Sequence, residues 1–488
     1  MVKIPSALLE QSLPNPPCPL PSPLNSLAFG GDSSHDAVFD PDPIFRQSHD
    51  LLLERARHRG TSDMDKAVKV LPTSPAPRWR VSWLLAAPHR LGFFAGAVMM
   101  ALSSLWWSGA LLAKALSLPI AWAVAPSVAH SLFMSLGFMP FFFAGFLFTA
   151  GPKWLRQREV AARSICAPIA WMLLGWCIVL AGFHLQDRVA GAGLVLVALG
   201  WSRLCLRLAV TVRRSSVVDR VHPTLIVFSC CTGAVMLWIA AVAMLLQYEL
   251  VLRSAIQLAL WCFVVPVFAV ASHRLIPFFG ASASPLLDAW HPLWLLWLMV
   301  GVLWLEAPLA ATELWWRPLP AQLRWGQAIV EAYAGMVLLG LAVRWALVQN
   351  LKNRLLAMLH GGFMWLGLSF ALAAISHALM ALMHSELSLG LAPLHAMTMG
   401  YLGSTLLAMA TRVSSGFGGR TNAADTRVWV LYWVLQAAVL LRVFAALWPL
   451  SATLLTLLAA LAWSIATVGW AFRYGRWFGR PRIDGRPG

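Results

Sequence analysis

The residues of this chain with the greatest capacity for chemistry are histidines that lie inside long apolar segments. An ionisable side chain is costly in a membrane interior, so each one there is a candidate for function. Neutral imidazole binds haem iron and copper, and it enters a membrane more readily than a carboxylate. A single membrane histidine can instead have a structural role alone, as a hydrogen-bond partner of a carbonyl group or of a neighbouring helix. The histidines therefore raise metal binding as a hypothesis beside a purely structural role.

These histidines form two groups by their depth in the apolar segments. Near the predicted outer ends lie His130, His377, His384 and His395, and near the predicted inner ends lie His89, His273 and His360. His360 and His377 share one predicted helix but are separated by roughly 25 Å along its axis. They cannot bind the same metal ion, so the pattern predicts two sites, one near each face of the membrane.

Methionines accompany the outer histidines. Met380 and Met383 lie beside His377, and Met397 and Met399 follow His395. Thioether sulfur is a soft ligand suited to Cu(I), which makes an outer copper site chemically reasonable. The predicted metal ligands there are His130, His377, His395 and Met397. Helix packing is the competing explanation for each methionine.

The segments that must position these residues are membrane helices. The chain has 488 residues, is 59% hydrophobic and only 12% charged, and has a mean hydropathy of +0.70, too apolar for a soluble protein. We predict an all-α helical bundle of about twelve transmembrane helices, since each apolar segment reaches the ~20 residues that cross a bilayer. The predicted spans are 86–112, 126–150, 165–186, 189–212, 223–247, 250–272, 287–308, 323–345, 355–383, 391–411, 427–448 and 450–472.

Composition also divides the chain into three regions. Residues 1–80 are Pro-rich, acidic and polar without a periodic apolar face, which predicts a disordered cytoplasmic tail. Residues 81–473 form the predicted transmembrane domain, and residues 474–488 form a basic cytoplasmic tail. The seven cysteines form no CxxC or CxxCH motif, so neither a thiolate metal site nor c-type haem attachment is indicated.

The net charge of +17 follows from membrane topology. Lys and Arg concentrate in every second connection and in the C-terminal tail, and basic residues are retained on the cytoplasmic side during insertion. This distribution predicts that both termini lie in the cytoplasm. Anionic lipid headgroups then account for the charge, and a nucleic-acid partner is unnecessary.

Four sequence blocks resemble the NnrS family of bacterial inner-membrane proteins. They are PHRLGFF before residue 95, HSLFMSLGFMPFFFAGFLFTAGPKW in the second span, HRLIPFF after the sixth, and PLHAMTMGYLGSTLLAMATRVSSGFGGR across the tenth. They occur in the expected order over about residues 85–470. The resemblance implies a twelve-helix protein that contains haem b and copper and is associated with the response to nitric oxide and nitrosative stress.

The resemblance also implies particular site residues. The family's histidines fall on His89, His130, His273, His360 and His395, and its motif arginines fall on Arg90, Arg274, Arg412 and Arg420. Arg274 would pair with a haem propionate or a lipid phosphate, or would only set the topology. Many relatives carry a second His and a Glu where this chain has Leu132 and Phe133, and a His where it has Phe417.

The expected function is therefore nitric oxide handling by a haem protein of the cytoplasmic membrane. Reduction, scavenging and sensing of nitric oxide all remain open, and neither the electron donor nor a denitrification partner is indicated. A twelve-helix secondary transporter is one alternative, although the expected inverted repeat of such carriers is not evident. A factor that delivers haem or copper to a reductase is another, since it would use the same ligands with weaker affinity.

Overall fold

The computed structural model describes residues 78–281, 292–316, 318–348, 351–383, 387–420 and 424–483. This part of the chain is helical and contains no β-strand, which confirms the predicted fold class. The predicted N-terminal tail lies outside the described residues, apart from residues 78–80. A short 3-10 helix, Val81–Ala86, leads into the first long helix.

Long helices follow one another with short connections. They are α1 Pro88–Ala115, α2 Pro126–Leu136, α3 Met139–Trp154, α4 Arg163–Leu185, α5 Asp187–Arg213, α6 Val221–Leu245, α7 Glu249–Ala259, α8 Val265–Ala281, α9 Leu293–Trp315, α10 Ala321–Val348, α11 Arg354–Leu382, α12 Ala392–His395, α13 Ser404–Phe417, α14 Thr426–Leu447 and α15 Ala452–Phe478. Two π-helical segments, Leu260–Val264 and Ala396–Gly403, join α7 to α8 and α12 to α13. Successive connections between the spans lie alternately at two ends of the bundle. Most Lys and Arg residues lie at one of them, the cation-rich end, and few lie at the other, the cation-poor end.

Eleven helices in the described part are long and apolar enough to cross a membrane, against twelve predicted. The difference is the tenth predicted span, 391–411, which corresponds to the continuous helical path from α12 through the π segment to α13. This path carries polar residues, and residues 400–411 are all buried. A helix that is enclosed by other helices does not need an apolar surface. Its mean hydropathy can therefore be too low to identify it as a membrane span.

Large apolar side chains on the outside of the bundle fit a lipid environment. Leu206, Ile329 and Met336 are 62%, 66% and 68% exposed on their helices. Exposed apolar surface on this scale would be unfavourable in water but is favourable against lipid tails. The chain is therefore a multi-pass membrane protein.

Small residues bring several helices into close contact. A Cβ atom on Gly175 of α4 would lie 2.6 Å from the carbonyl oxygen of Gly193 of α5, and one on Gly92 of α1 would lie 2.5 Å from the backbone nitrogen of Gly145 of α3. Membrane helices associate largely through such packing. Helices α4 and α5 form a hairpin, with Gln186 alone between them.

The two ends of the described chain meet. Helix α15 packs against α1, and the Arg80 amide donates to the Gly479 carbonyl over 2.9 Å. Helix α15 continues to Phe478, five residues beyond the predicted limit of the membrane domain at 473. Helix α9 begins at Leu293, directly after Pro292, and the predicted start of this span at 287 lies outside the described residues.

Candidate metal and cofactor site

A cavity of about 940 Å³ opens within the bundle near the cation-poor end. It lies between α1, α2, α7, α12, α14 and α15. Its aromatic and ionisable lining residues include Trp107, Lys114, His130, Arg253, His395 and Arg442. Its volume falls in the range of small-molecule and cofactor sites. Two of the predicted outer histidines, His130 and His395, therefore share one cavity.

Both π-helical segments contribute to the wall of this cavity. Leu260 and Val264 come from the first segment, and Thr398, Met399 and Leu402 come from the second. A π turn inserts one residue into the helical hydrogen-bond pattern and is frequently found at functional sites. The backbone is thus irregular on two sides of the cavity, where the histidines are presented.

His130 is held by the start of α2 and by an aromatic neighbour. Pro126 begins the helix and favours its first turn. The imidazole stacks on the indole of Trp107, with ring centroids 4.0 Å apart and planes inclined by 25°. Its Nδ1 atom is buried without a hydrogen-bond partner in the described structure. A buried unsatisfied nitrogen is unusual, and a ligand in the cavity would satisfy it.

His395 has the hydrogen bond that prepares a histidine for metal binding. Its Nδ1 atom lies 2.9 Å from the carbonyl oxygen of Leu391, one turn earlier. A carbonyl only accepts hydrogen bonds, so Nδ1 carries the proton and donates. In the neutral ring Nε2 then holds the free electron pair. Fixing the tautomer through the second nitrogen is the usual arrangement of metal-binding histidines.

Three cationic side chains line the same cavity. Arg253 is neutralised by Glu249, since its Nε atom donates to that carboxylate over 2.7 Å. Neither Lys114 nor Arg442 forms an ion pair among the described residues. Lys114 is exposed at the end of α1, whereas Arg442 is half-buried, and a half-buried cation without a counterion beside an apolar cavity favours a ligand that carries negative charge.

The other predicted outer ligands lie elsewhere. His377 bonds Glu331, with Nδ1 and Oε2 separated by 2.8 Å. Met397 is 1% exposed and its sulfur accepts a hydrogen bond from Ser369, whereas Met399 lines the cavity. His384 lies outside the described residues. Of the four predicted metal ligands, the structure thus brings together His130 and His395.

The histidines near the cation-rich end occupy separate surroundings. The ring of His89 packs on Phe417, with centroids 4.5 Å apart. His273 bonds His222, whose Nε2 atom lies 3.0 Å from its Nδ1. His360 is buried, and its Nδ1 atom has no hydrogen-bond partner in the described structure. His222 was not singled out from the sequence, because it precedes a proline at the start of a span and belongs to no recognisable motif.

The two arginines proposed as cofactor ligands have structural contacts. Arg90 is 3% exposed, and its Nη1 atom donates to the carbonyl oxygen of Arg480 over 2.7 Å. Arg274 places its guanidinium over the ring of Trp154 at 4.8 Å. Arg90 therefore secures the end of the described chain, as cations commonly do at helix C-termini. Arg274 remains a candidate anion ligand.

A metal centre built from three protein donors is not formed in the described part. No three His, Cys, Asp or Glu residues there are arranged to hold a metal ion. Haem has a lower requirement, because the porphyrin supplies four ligands and the protein needs to add only one or two axial ones. The pair His130 and His395 meets that requirement.

Comparison with known proteins decides the family. The family described as NnrS protein matches residues 83–482, which include every long helix described above. The chain belongs to the NnrS family. Searches of characterised proteins and of solved structures gave no match.

This NnrS chain has apolar side chains at three positions where the resemblance implied polar ones. Leu132 and Phe133, where the resemblance implied His and Glu, are fully buried. Phe417 contacts His89 and also lies under the Lys153 ammonium at 4.9 Å. All three side chains therefore pack within the bundle, Leu132 and Phe133 fully and Phe417 in part.

Residues of the cavity that the sequence did not reveal are Trp107 and Arg442. Neither lies in a motif, and Trp and Arg have ordinary roles near helix ends. Buried Glu306 and Glu331, which lie beside His377, were also missed, since the two glutamates occur singly in apolar segments. An acidic residue within a span is itself a signal that could have identified them.

Proposed function

We propose that this NnrS protein binds haem b in the cavity at the cation-poor end, with His130 and His395 as the axial candidates. The observation that carries the proposal is that both imidazoles line one cavity that also holds unpaired cations. His395 offers Nε2 because its Nδ1 donates to Leu391. His130 offers a buried nitrogen that has no other partner in the described structure.

The remaining wall also fits a haem. The porphyrin face is apolar and is suited by Leu260, Val264 and Leu402. Lys114 and Arg442 would each pair with a propionate, which needs a cation in a low-dielectric setting. Trp107 holds the His130 ring in a fixed orientation. The residues therefore match the three chemical parts of the cofactor: iron, ring and carboxylates.

We further propose that nitric oxide is the small molecule that the protein handles. Haem iron supplies a one-electron centre that binds diatomic gases, and the pocket polarity decides between binding and activation. The chain's own part is to hold the imidazoles, neutralise the propionates and exclude bulk water. Cytoplasmic-membrane location with both termini in the cytoplasm belongs to the same proposal and rests on the distribution of basic residues.

Copper is the second candidate for this cavity. Met399 lies in the wall with the two histidines, and two imidazoles with a thioether make a donor set suited to Cu(I). Haem remains the first choice because the unpaired Lys114 and Arg442 suit an anionic cofactor, whereas they would repel a bare cation.

Visible spectroscopy with metal analysis on detergent-purified protein tests the proposal. We expect a Soret band and iron near one haem per cavity, with the band lost or shifted in His130→Ala and His395→Ala. His184→Ala is the matched control at the same end, because both of its nitrogens already bond protein groups. Unchanged spectra in both variants and in the double variant would refute the assignment. Stoichiometric copper without a Soret band would move it to the copper alternative.

A further inference from the structure

A cluster of polar side chains on α9, α10 and α11 lies near the cation-poor end of the bundle, apart from the cavity that contains His130 and His395. Five titratable residues from three helices interact there: Glu306 and Glu313 of α9, Arg324 and Glu331 of α10, and His377 of α11. Glu331 is fully buried, and Glu306 and Arg324 are 7% and 1% exposed. Charges buried within a membrane are rare and mark functional positions.

Glu331 is the centre of this group. Its Oε2 atom lies 2.8 Å from Nδ1 of His377, and the carboxyl of Glu306 lies beside it. Its Oε1 atom is buried without a hydrogen-bond partner in the described structure. A carboxylate left in this state would be strongly unfavourable, whereas a protonated carboxyl next to a second carboxyl would be satisfied.

Further polar atoms on α10 extend this group toward the cation-poor end. Arg324, Gln327 and Glu331 follow at spacings of three and four, which places them on one face of the helix. Arg324 uses Nη2 to bond Glu313 over 2.8 Å, while its Nε and Nη1 atoms, like Oε1 of Gln327, have no partner among the described residues. This face therefore presents donors and acceptors between the α9–α10 connection and Glu331.

The charge of the group requires bound protons. The Arg324–Glu313 pair is neutral by itself. The carboxyls of Glu306 and Glu331, if both were ionised beside a neutral imidazole, would add a charge of −2. Neutrality is reached when one proton lies between Glu306 and Glu331 and another between Glu331 and His377. Burying uncompensated charge is far costlier than binding these protons.

We propose that Glu306, Glu331 and His377 form an exchangeable proton-binding site, with Gln327 and Arg324 leading toward the cation-poor surface. A metal cation fits less well, because no group of three His, Cys, Asp or Glu residues in the described part is arranged to hold one. The step is simple proton exchange: one proton enters from water and binds a carboxyl or imidazole, and one leaves, with no electron transferred. The site does not depend on the proposed haem.

Infrared spectroscopy of the full-length protein in lipid vesicles tests this site. Exchange of H₂O for D₂O should shift the carbonyl stretch of a protonated carboxyl, and raising the pH should remove it. We expect this band to disappear in Glu331→Gln and to diminish or shift in Glu306→Gln and His377→Gln. Glu159→Gln is the control, because Glu159 is exposed in a connecting loop and should leave the band unchanged.

Three outcomes would overturn the proposal. One is the absence of any pH-dependent carboxyl band in protein that elutes as a single folded species. Another is a band that persists at full intensity in Glu331→Gln and Glu306→Gln. The third is a band that changes with Na⁺ or K⁺ concentration at constant pH, which would indicate a cation site. Should Glu331→Gln fail to fold, Glu306→Gln and His377→Gln still decide the matter.

Discussion

The indole of Trp107 stacks on the imidazole of His130, with ring centroids separated by 4.0 Å. The two residues come from α1 and α2, so this contact fixes a histidine on a short helix against the long first span. Aromatic contacts of this kind contribute about 0.5–1.5 kcal/mol beyond the area they bury. Trp107 is therefore expected to determine which way His130 presents its unpartnered nitrogen.

Replacing Trp107 by Leu should weaken haem retention without abolishing it. The imidazole would gain rotational freedom, and we expect roughly a threefold to tenfold weaker affinity, in line with the energy of an aromatic pair. Haem titration of the purified apoprotein measures the change. Trp433→Leu is the control, since Trp433 is 57% exposed on α14. An affinity equal to that of the wild type would show that Trp107 does not position the ring.

Arg442 should contribute to binding through charge rather than shape. Arg442→Gln removes one of two cations without an acidic partner in the described part of the chain, and a hydrogen bond to a charged group contributes about 1.5–3 kcal/mol. We expect at least tenfold weaker haem binding, with Arg442→Lys close to wild type. A haem lacking propionates should bind both proteins similarly. Equal loss with that analogue would contradict a propionate contact.

Close helix packing at Gly175 gives a prediction on stability. A valine there would meet the backbone of α5 at Gly193, and overpacking typically costs about 1–3 kcal/mol. Gly175→Val should lower the thermal unfolding temperature in detergent. Gly301→Val is the matched control, because a Cβ atom added at Gly301 would meet no described atom within 4 Å other than its chain neighbours and the backbone of its own helix. Similar unfolding temperatures for both variants would argue against a tight α4–α5 contact.

Arg90 should hold the C-terminal segment in place. Arg90→Met keeps the bulk of the side chain but removes the donor to the Arg480 carbonyl. We expect faster trypsin cleavage after Arg482, since Pro481 protects the bond after Arg480, and a nearly normal visible spectrum. Arg188→Met, at an exposed position on α5, is the control. Loss of haem with unchanged proteolysis would instead assign Arg90 to the cofactor.

Labelling of introduced cysteines tests the orientation. Ser117 lies in the connection between α1 and α2, which the charge pattern places on the non-cytoplasmic side of the membrane. In intact cells a membrane-impermeant thiol reagent should label Ser117→Cys, and it should label Ser216→Cys, in the α5–α6 connection, only after the membrane is broken. The reverse pattern would invert the predicted topology.

The sequence predicted most of the helices because hydropathy over about twenty residues reports directly on lipid exposure. The sequence also predicted that His130 and His395 lie at the same end of the bundle, because both are near the beginning of even-numbered spans. In the structure the two histidines line one cavity. It did not separate Met399 from Met397, which requires the rotation of the helix through its π segment. The partnership of His377 with Glu331 was equally hidden, because it joins two spans whose mutual rotation depends on tertiary packing.

The enclosed path from α12 to α13 has a consequence for biogenesis. Its polar residues disfavour insertion of this segment alone through the translocon, because the insertion of each span depends on its own free energy of transfer into lipid. It must therefore be accommodated by the helices made before it, and α14 and α15 must then close around it. Assembly of the cavity that contains His395 is thus expected to be a late event in the maturation of this membrane protein.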